Sequence, residues 1–317
     1  MKKFSTQRIW ELFKDTGKGI IDQKLLKVSA ALAYYTVFSL GPMLMIIIFL
    51  SNFLWREQAI EGVIYQQTKE LIGNKAALQI QEIIKNASIN GSNIVAATTG
   101  FITLIIGATT VFTEIQDSIN QIWRLEVRAE RGWLILLKNR LLSFSLVVSL
   151  AFLLLVSLII NGLVDGFMDK LQGIFPHVAF FLVYVVNLLV TLFITSLLFA
   201  IIFKVLPDAL IRWRDVAVGA ILTALLFMLG KFAIAFYVRN SNPGSAYGAA
   251  GSIIILLLWI YFSAIILYVG AIFTKFYAMK FGTEIRPNEY AVVVQTTKVE
   301  SSKRSLQENE QQQASSH

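Results

Sequence analysis

Six long apolar stretches, separated by polar and amphipathic segments, set the pattern of this chain. They cover Val28–Trp55, Asn93–Thr113, Leu141–Val164, Ile174–Phe203, Val216–Val238 and Ser252–Thr274, and Lys231 is the one charge inside them. Each reaches the roughly 20 residues a helix needs to cross a bilayer. Each is apolar all round, whereas a surface helix of a soluble fold keeps a polar face. Barrel strands would be about ten residues long and would alternate. The pattern predicts an all-α polytopic membrane protein, a bundle of about six transmembrane helices. Gly41-Pro42, near the middle of the first stretch, predicts a kink or hinge there.

The segments between the stretches add amphipathic interfacial helices. Over residues 4–26, Phe4, Ile9, Trp10, Leu12, Phe13, Ile20, Ile21, Leu25 and Leu26 interleave with charges, as in a helix lying on a membrane surface. Over 57–85, Ile60, Ile64, Leu71, Leu78, Ile80, Ile83 and Ile84 recur at helical spacing and predict one or two helices capping the bundle. Ile115, Ile119, Ile122 and Trp123 form one stripe, so the second span continues as a helix beyond the membrane. No internal repeat is visible, which leaves an inverted-repeat architecture without support.

Charge orients the bundle. Residues 1–27, the loop between spans two and three, the loop between spans four and five, and the tail after Thr274 together hold 21 Lys and Arg; the opposite side holds seven. Lys and Arg favour the cytoplasmic side, so both termini are expected there and residues 56–92 outside. The organisation expected is a cytoplasmic amphipathic segment over 1–27, a transmembrane domain over 28–280 and a cytoplasmic tail over 281–317. That tail, rich in Ser, Gln, Glu and Lys, is expected to be disordered from about residue 299. The first apolar stretch is too long for the core of a signal peptide.

Composition narrows the chemistry. Of 317 residues 56% are hydrophobic and 15% charged, against roughly 25% charged in a soluble domain. The net charge of +8 sits mostly at span ends, where anionic lipid explains it better than nucleic acid does. Cysteine is absent, and histidine occurs only at His177 and the terminal His317. No zinc site of the usual His/Cys type can be built from these, and no phosphate loop or nucleophile elbow is present. No metal, no cofactor and no enzymatic activity are expected.

Lys231 stands out. It lies seven residues before Val238, roughly 10 Å inside the span. Charges at such depth are costly and face the bundle interior or water. Its nearest carboxylate on that side is Asp165, at the end of span three, with Asp169 beyond it. The alternatives are a structural pair with snorkelling to the interface, or contact with a bound anion such as a lipid phosphate. Glu114 and Asp117 share a helix face, and Asn120 lies close by. They form a polar patch that either binds a proton or cation, or is a solvated helix end paired with arginines of its own loop. Gly244 and Gly248, with Tyr247 between them, have the spacing of a close-packing motif. Their uncharged segment is either a re-entrant loop lining a cavity or a tight outer loop.

Several strings are similar to one known family. They are Ala30-Ala31-Leu32-Ala33-Tyr34-Tyr35 with Ser39-Leu40-Gly41-Pro42, then Ile119-Asn120-Gln121-Ile122-Trp123 and Leu206-Pro207. Trp213-Arg214-Asp215, Gly219-Ala220, Lys231, Tyr237, Tyr247-Gly248, Trp259-Ile260-Tyr261 and Gly270-Ala271 complete the set. In this order, over about residues 20–280, they resemble the YihY/BrkB family of bacterial inner-membrane proteins. The resemblance implies six helices in the cytoplasmic membrane and a poorly defined function. Names referring to virulence and an old ribonuclease label attach to such proteins, and envelope lipid transport has been suggested for them. The family pattern carries an acidic residue directly after the final Gly-Ala. This chain has Ile272 there, so a mechanism resting on that carboxylate does not carry over.

The functional expectation is a transporter or exporter of an anionic lipid or other anionic envelope metabolite, with Lys231 and Asp165 as candidate contacts. The alternative is a non-transporting organiser that binds lipids or protein partners through the 57–85 helices. Ribonuclease activity has the least support. Partners expected are membrane lipids, with a homo-oligomer or envelope proteins as further candidates, and no nucleic acid. Gly41, Pro42, Pro207, Gly244, Tyr247 and Gly248 are the candidate hinge or structural positions.

Overall fold

The computed structural model describes residues 5–54, 78, 110–127, 176–241 and 251–294. The second and third spans (except residues 110–113), the 57–85 helices (except Leu78), Asp165, Gly244, Tyr247, Gly248 and the tail from 295 lie outside the described residues. The described chain is mostly helical. Helix α1 is Thr6–Asp22, α2 is Leu25–Leu54 and α3 covers 110–123. Helix α4 is Pro176–Val205, α5 is Trp213–Ser241 and α6 is Gly251–Phe281. Four short strands accompany them: β1 Leu125–Val127, β2 Ala209–Leu210, β3 Arg286–Pro287 and β4 Ala291–Val293.

Among the described residues, three segments are long and apolar enough to cross a membrane: Val185–Val205 in α4, Trp213–Tyr237 in α5 and Ile253–Phe281 in α6. Their outward faces carry Phe193, Leu229, Phe232 and Phe236, each exposed by about two thirds. A belt of large exposed apolar side chains is what lipid, and not water, accommodates. The α2 backbone stays helical through Gly41-Pro42, so the proline does not end the helix.

The helices meet along a tight seam. Gly219 on α5 lies against Thr274 on α6, and Gly270 on α6 against Thr223 on α5, so the two helices run antiparallel. A Cβ on either glycine would overlap the facing threonine hydroxyl. Both threonines are fully buried, and each donates to the carbonyl four residues back on its own helix: Thr223 Oγ1 to Gly219 O and Thr274 Oγ1 to Gly270 O, both 2.7 Å. The hydroxyls are thereby satisfied without water, and the backbones approach as small residues permit. Farther along the seam Gly230 accommodates Ile266. Phe227 is wedged between Phe199 of α4 and Trp259 of α6, with ring centroids 5.9 and 6.0 Å away.

Helix α1 packs on α6 through one stripe. Leu12 joins Phe273 and Phe281, and Gly19 sits close enough to Ile272 that an added Cβ would lie 2.8 Å from its Cγ2. Lys280 fixes the contact with ion pairs to Asp15 at 2.7 Å and Glu11 at 3.3 Å. A second stripe, Trp10, Phe13 and Ile21, is left largely exposed. A helix with that exposed stripe is suited to lie in a headgroup layer. Lys24, in the left-handed region at φ 49°, turns the chain from α1 into α2.

The strands form two antiparallel ribbons at the same end of the bundle. Leu125, Glu126 and Val127 pair with Val293, Val292 and Ala291, and Ala209 and Leu210 pair with Pro287 and Arg286. The segment after α6 thus stitches together the chain leaving α3 and the chain joining α4 to α5. The two ribbons mark this as the ribbon end of the bundle.

Candidate functional site

Among the described residues most of the polar network is concentrated at the ribbon end. Pro207 follows Leu206 at the close of α4, where its ring cannot continue the helix, and the turn delivers Asp208 into the protein. Asp208 is buried. Its Oδ2 accepts from Asn120 Nδ2 at 2.7 Å and Gln116 Nε2 at 3.0 Å. Its N–H donates to Asn120 Oδ1 at 2.9 Å, so Asn120 grips it at two points. The Asp208 carbonyl accepts from Asn288 N at 3.0 Å, and Asn288 Nδ2 donates to the Tyr290 hydroxyl at 3.3 Å. Burial, with Asp208 nearby, pushes the Tyr290 hydroxyl above its ordinary pKa.

Asn120 is therefore neither solvated nor paired with arginines of its own loop: it is buried and clamps a carboxylate 88 positions away. The two acids of the patch behave differently. Glu114 is half-buried, and Asp117 keeps part of its side chain in solvent. Burial first, and then Asp117, raises the Glu114 pKa; burial first, and then Asp208, raises that of Asp117. Among the described residues none of Glu114, Asp117 and Asp208 forms an ion pair with Lys or Arg. The fully buried Tyr268 hydroxyl stands within electrostatic reach of Ser118 and Glu114 without a hydrogen bond of normal geometry. Such a group of acids can hold a proton exchangeable with water at the ribbon end. No cluster of three or more His, Cys, Asp or Glu side chains among the described residues is placed to hold a metal ion.

Two further locks join this end. Trp123 Nε1 donates to Ala271 O at 3.0 Å, and Lys275 Nζ donates to Ile122 O, capping the last turn of α3. Asp215, in the first turn of α5, accepts from Thr283 N at 3.1 Å and Thr283 Oγ1 at 3.0 Å, with Gly282 against the carboxylate. Sequence reading missed Asp208, Gln116 and Thr283 and held Asp215 only as part of a family string, without a role. The visible signal was an acid directly after the proline that closes a span.

Lys231 lies on α5 about 27 Å from Trp213 at 1.5 Å per residue, toward the end opposite the ribbons. It is half-buried, one turn beyond Phe227 on the same face, and has no ion pair among the described residues. Ile272 is buried under α1 at Gly19, so that position serves packing in this chain.

Long apolar helices locked at one end by ribbons and buried polar clamps define a polytopic α-helical membrane protein. The chain belongs to the BrkB family: the family described as Virulence factor BrkB matches residues 17–292. It is similar to a UPF0761 membrane protein of Pseudoalteromonas atlantica, 27% identical over 281 residues covering 83% of this chain and 85% of that one. A UPF0761 membrane protein of Stenotrophomonas maltophilia is 28% identical over 289 residues, 86% of this chain and 64% of that one. One from Ralstonia nicotianae is 26% identical over 266 residues, 79% of this chain and 55% of that one. The chain thus spans less than two thirds of the length of the latter two. No solved structure matches the chain.

Proposed function

We propose that this protein is a transporter or exporter of the bacterial inner membrane that moves an anionic lipid or another anionic envelope metabolite, with both termini in the cytoplasm. The supporting observation is Lys231: a cation in the apolar belt, half-buried on the Phe227 face, with no ion pair among the described residues. A charge so placed calls for an anion or a polar cavity. The excess of Lys and Arg in segments at the ribbon end supports a cytoplasmic position for it. In this reading the membrane lipids are the partners, and nucleic acid is not. Ribonuclease chemistry is left out, because a chain with two histidines and no cysteine offers few of the usual ligands.

Leaflet-resolved lipid analysis of cells with and without the protein tests the proposal. An anionic lipid or envelope glycolipid should accumulate in the inner leaflet when the protein is missing. An unchanged distribution of every anionic species would sink it. The second reading, a non-transporting organiser, draws on the rigid Gly–Thr seam and the locked ribbon end, which favour a static scaffold over a moving bundle.

A further inference from the structure

A cleft of about 500 Å³ opens at the ribbon end where β2 pairs with β3, lined by Leu210, Ile211, Arg212, Thr283, Glu284 and Arg286. It sits at the membrane edge: the α4 span ends at Val205 and the α5 span begins at Trp213. Arg212 and Arg286 are exposed and have no ion pair among the described residues. Lys204 adds positive charge close by, held by its bond to Ile211 O and set 5.9 Å from the Trp213 ring. Two of the local acids are committed elsewhere, Asp208 to the Asn120 clamp and Asp215 to Thr283. Beside the cations, Val205, Leu210 and Trp213 expose between about two fifths and three fifths of their surface.

Guanidinium groups at a bilayer edge, next to exposed Leu and Trp, match a phospholipid in three parts. Guanidinium binds phosphate through paired N–H donors. Tryptophan sits at headgroup depth. Exposed aliphatic side chains meet the acyl chains. Glu284 refines the match, since a carboxylate opposes a bare anion but accepts from a hydroxyl. We propose that this cleft binds the headgroup of phosphatidylglycerol, its phosphate on Arg212 and Arg286 and its glycerol hydroxyls toward Glu284. The site stands apart from the transport reading, because a lipid held at this rim need not pass through the bundle.

Native mass spectrometry of the full-length protein in detergent, titrated with phosphatidylglycerol or phosphatidylcholine, is the test. Phosphatidylglycerol should be retained about tenfold more tightly than phosphatidylcholine. Arg212→Gln and Arg286→Gln should each remove most of that preference. Arg8→Gln, on α1, should leave it intact and so separates a site from general attraction to basic surface. Thermal midpoints should match the wild type; if either arginine variant is unstable, Leu210→Ser, which leaves both charges, should still weaken retention. Equal retention of both lipids, or equal loss in all arginine variants, would overturn the proposal. Displacement of phosphatidylglycerol by millimolar inorganic phosphate would overturn it too, by assigning the cleft to a soluble anion.

Discussion

Gly219 of α5 faces Thr274 of α6, and four residues along each helix the relationship is returned by Thr223 and Gly270. Each glycine admits the threonine of the other helix, and each threonine donates to its own helix's glycine carbonyl. Lipid gives helices no hydrophobic reason to associate, so close backbone contact must supply the attraction. Gly219→Ala is expected to lower stability by about 1–3 kcal/mol, the usual cost of overpacking. Thr274→Ala in the same chain removes the colliding hydroxyl and should recover part of the loss, the Thr274 Cβ at 2.8 Å being left to shift. Thermal unfolding midpoints of the two single variants and the double variant check this; strictly additive losses would mean that the pair is not in contact.

Asp208 makes a second, independent expectation. Its Oδ2 receives two amide N–H groups while Asn120 also receives its backbone N–H. Asp208→Ala leaves the buried donor on Asn120 and the half-buried one on Gln116 unsatisfied, at about 1–3 kcal/mol. Because one network is cut, Asp208→Ala and Asn120→Ala should be strongly non-additive. A double-mutant cycle on unfolding midpoints would show coupling near zero if the clamp were absent.

The four described apolar stretches were legible because each carries at most one charge, Lys231 in the third of them; Val28–Trp55, Ile174–Phe203, Val216–Val238 and Ser252–Thr274 fall on α2, α4, α5 and α6 within a few residues, except that α6 runs on to Phe281. The stripe of Ile115, Ile119, Ile122 and Trp123 is buried as its period requires. The strands were not legible, since two or three residues carry no period. The Asp208 clamp was hidden for another reason. Its partners are 88 and 92 positions away, and amide-to-carboxylate pairing leaves no local mark. The seam was half legible: Gly219, Thr223 and Gly230 mark a small face on α5, but the matching face of α6 lies inside an apolar run.

Glu114 and Asp117 give a pH dependence. Both are held above the ordinary carboxylate range, mainly by burial. The folded state therefore holds these protons more tightly than the unfolded state. By linkage, stability from this pair falls as pH rises through the ordinary carboxylate range, near pH 4, and on through the raised values. Glu114→Gln should accordingly stabilise the protein at pH 7 and have little effect at pH 4. Asp117→Asn should shift stability in the same direction. Unfolding midpoints at the two pH values check the sign; a Glu114→Gln effect independent of pH would be the contrary result.

Topology can be read by labelling, since the chain has no cysteine of its own. Glu126→Cys places a thiol on the exposed edge of β1, at the ribbon end, and Glu70→Cys places one in the 56–92 segment. With the ribbon end in the cytoplasm, a membrane-impermeant maleimide should label position 70 in intact spheroplasts and reach position 126 only after lysis. Labelling at 126 and protection at 70 would invert the bundle.

Lys231 carries the sharpest functional expectation. Gly230 beside it faces Ile266 of α6, and Phe227, one turn earlier, is wedged between α4 and α6. Residues four apart share a helix face. The Lys231 stem therefore leaves α5 on the side of the α4–α6 groove, and its half-burial agrees with that direction. Removing the charge alone isolates its role, because methionine keeps an unbranched apolar stem. If Lys231 meets a transported anion, Lys231→Met should abolish the leaflet difference made by the wild-type protein, while expression and unfolding midpoint stay unchanged. Lys231→Arg keeps a cation at the same depth and should retain part of the activity. A lysine that only snorkels to the interface predicts the opposite pattern, with full function in both variants. Full function in Lys231→Met, measured beside a strain lacking the protein, would therefore remove the anion-contact mechanism while leaving the fold and the ribbon-end clamps untouched.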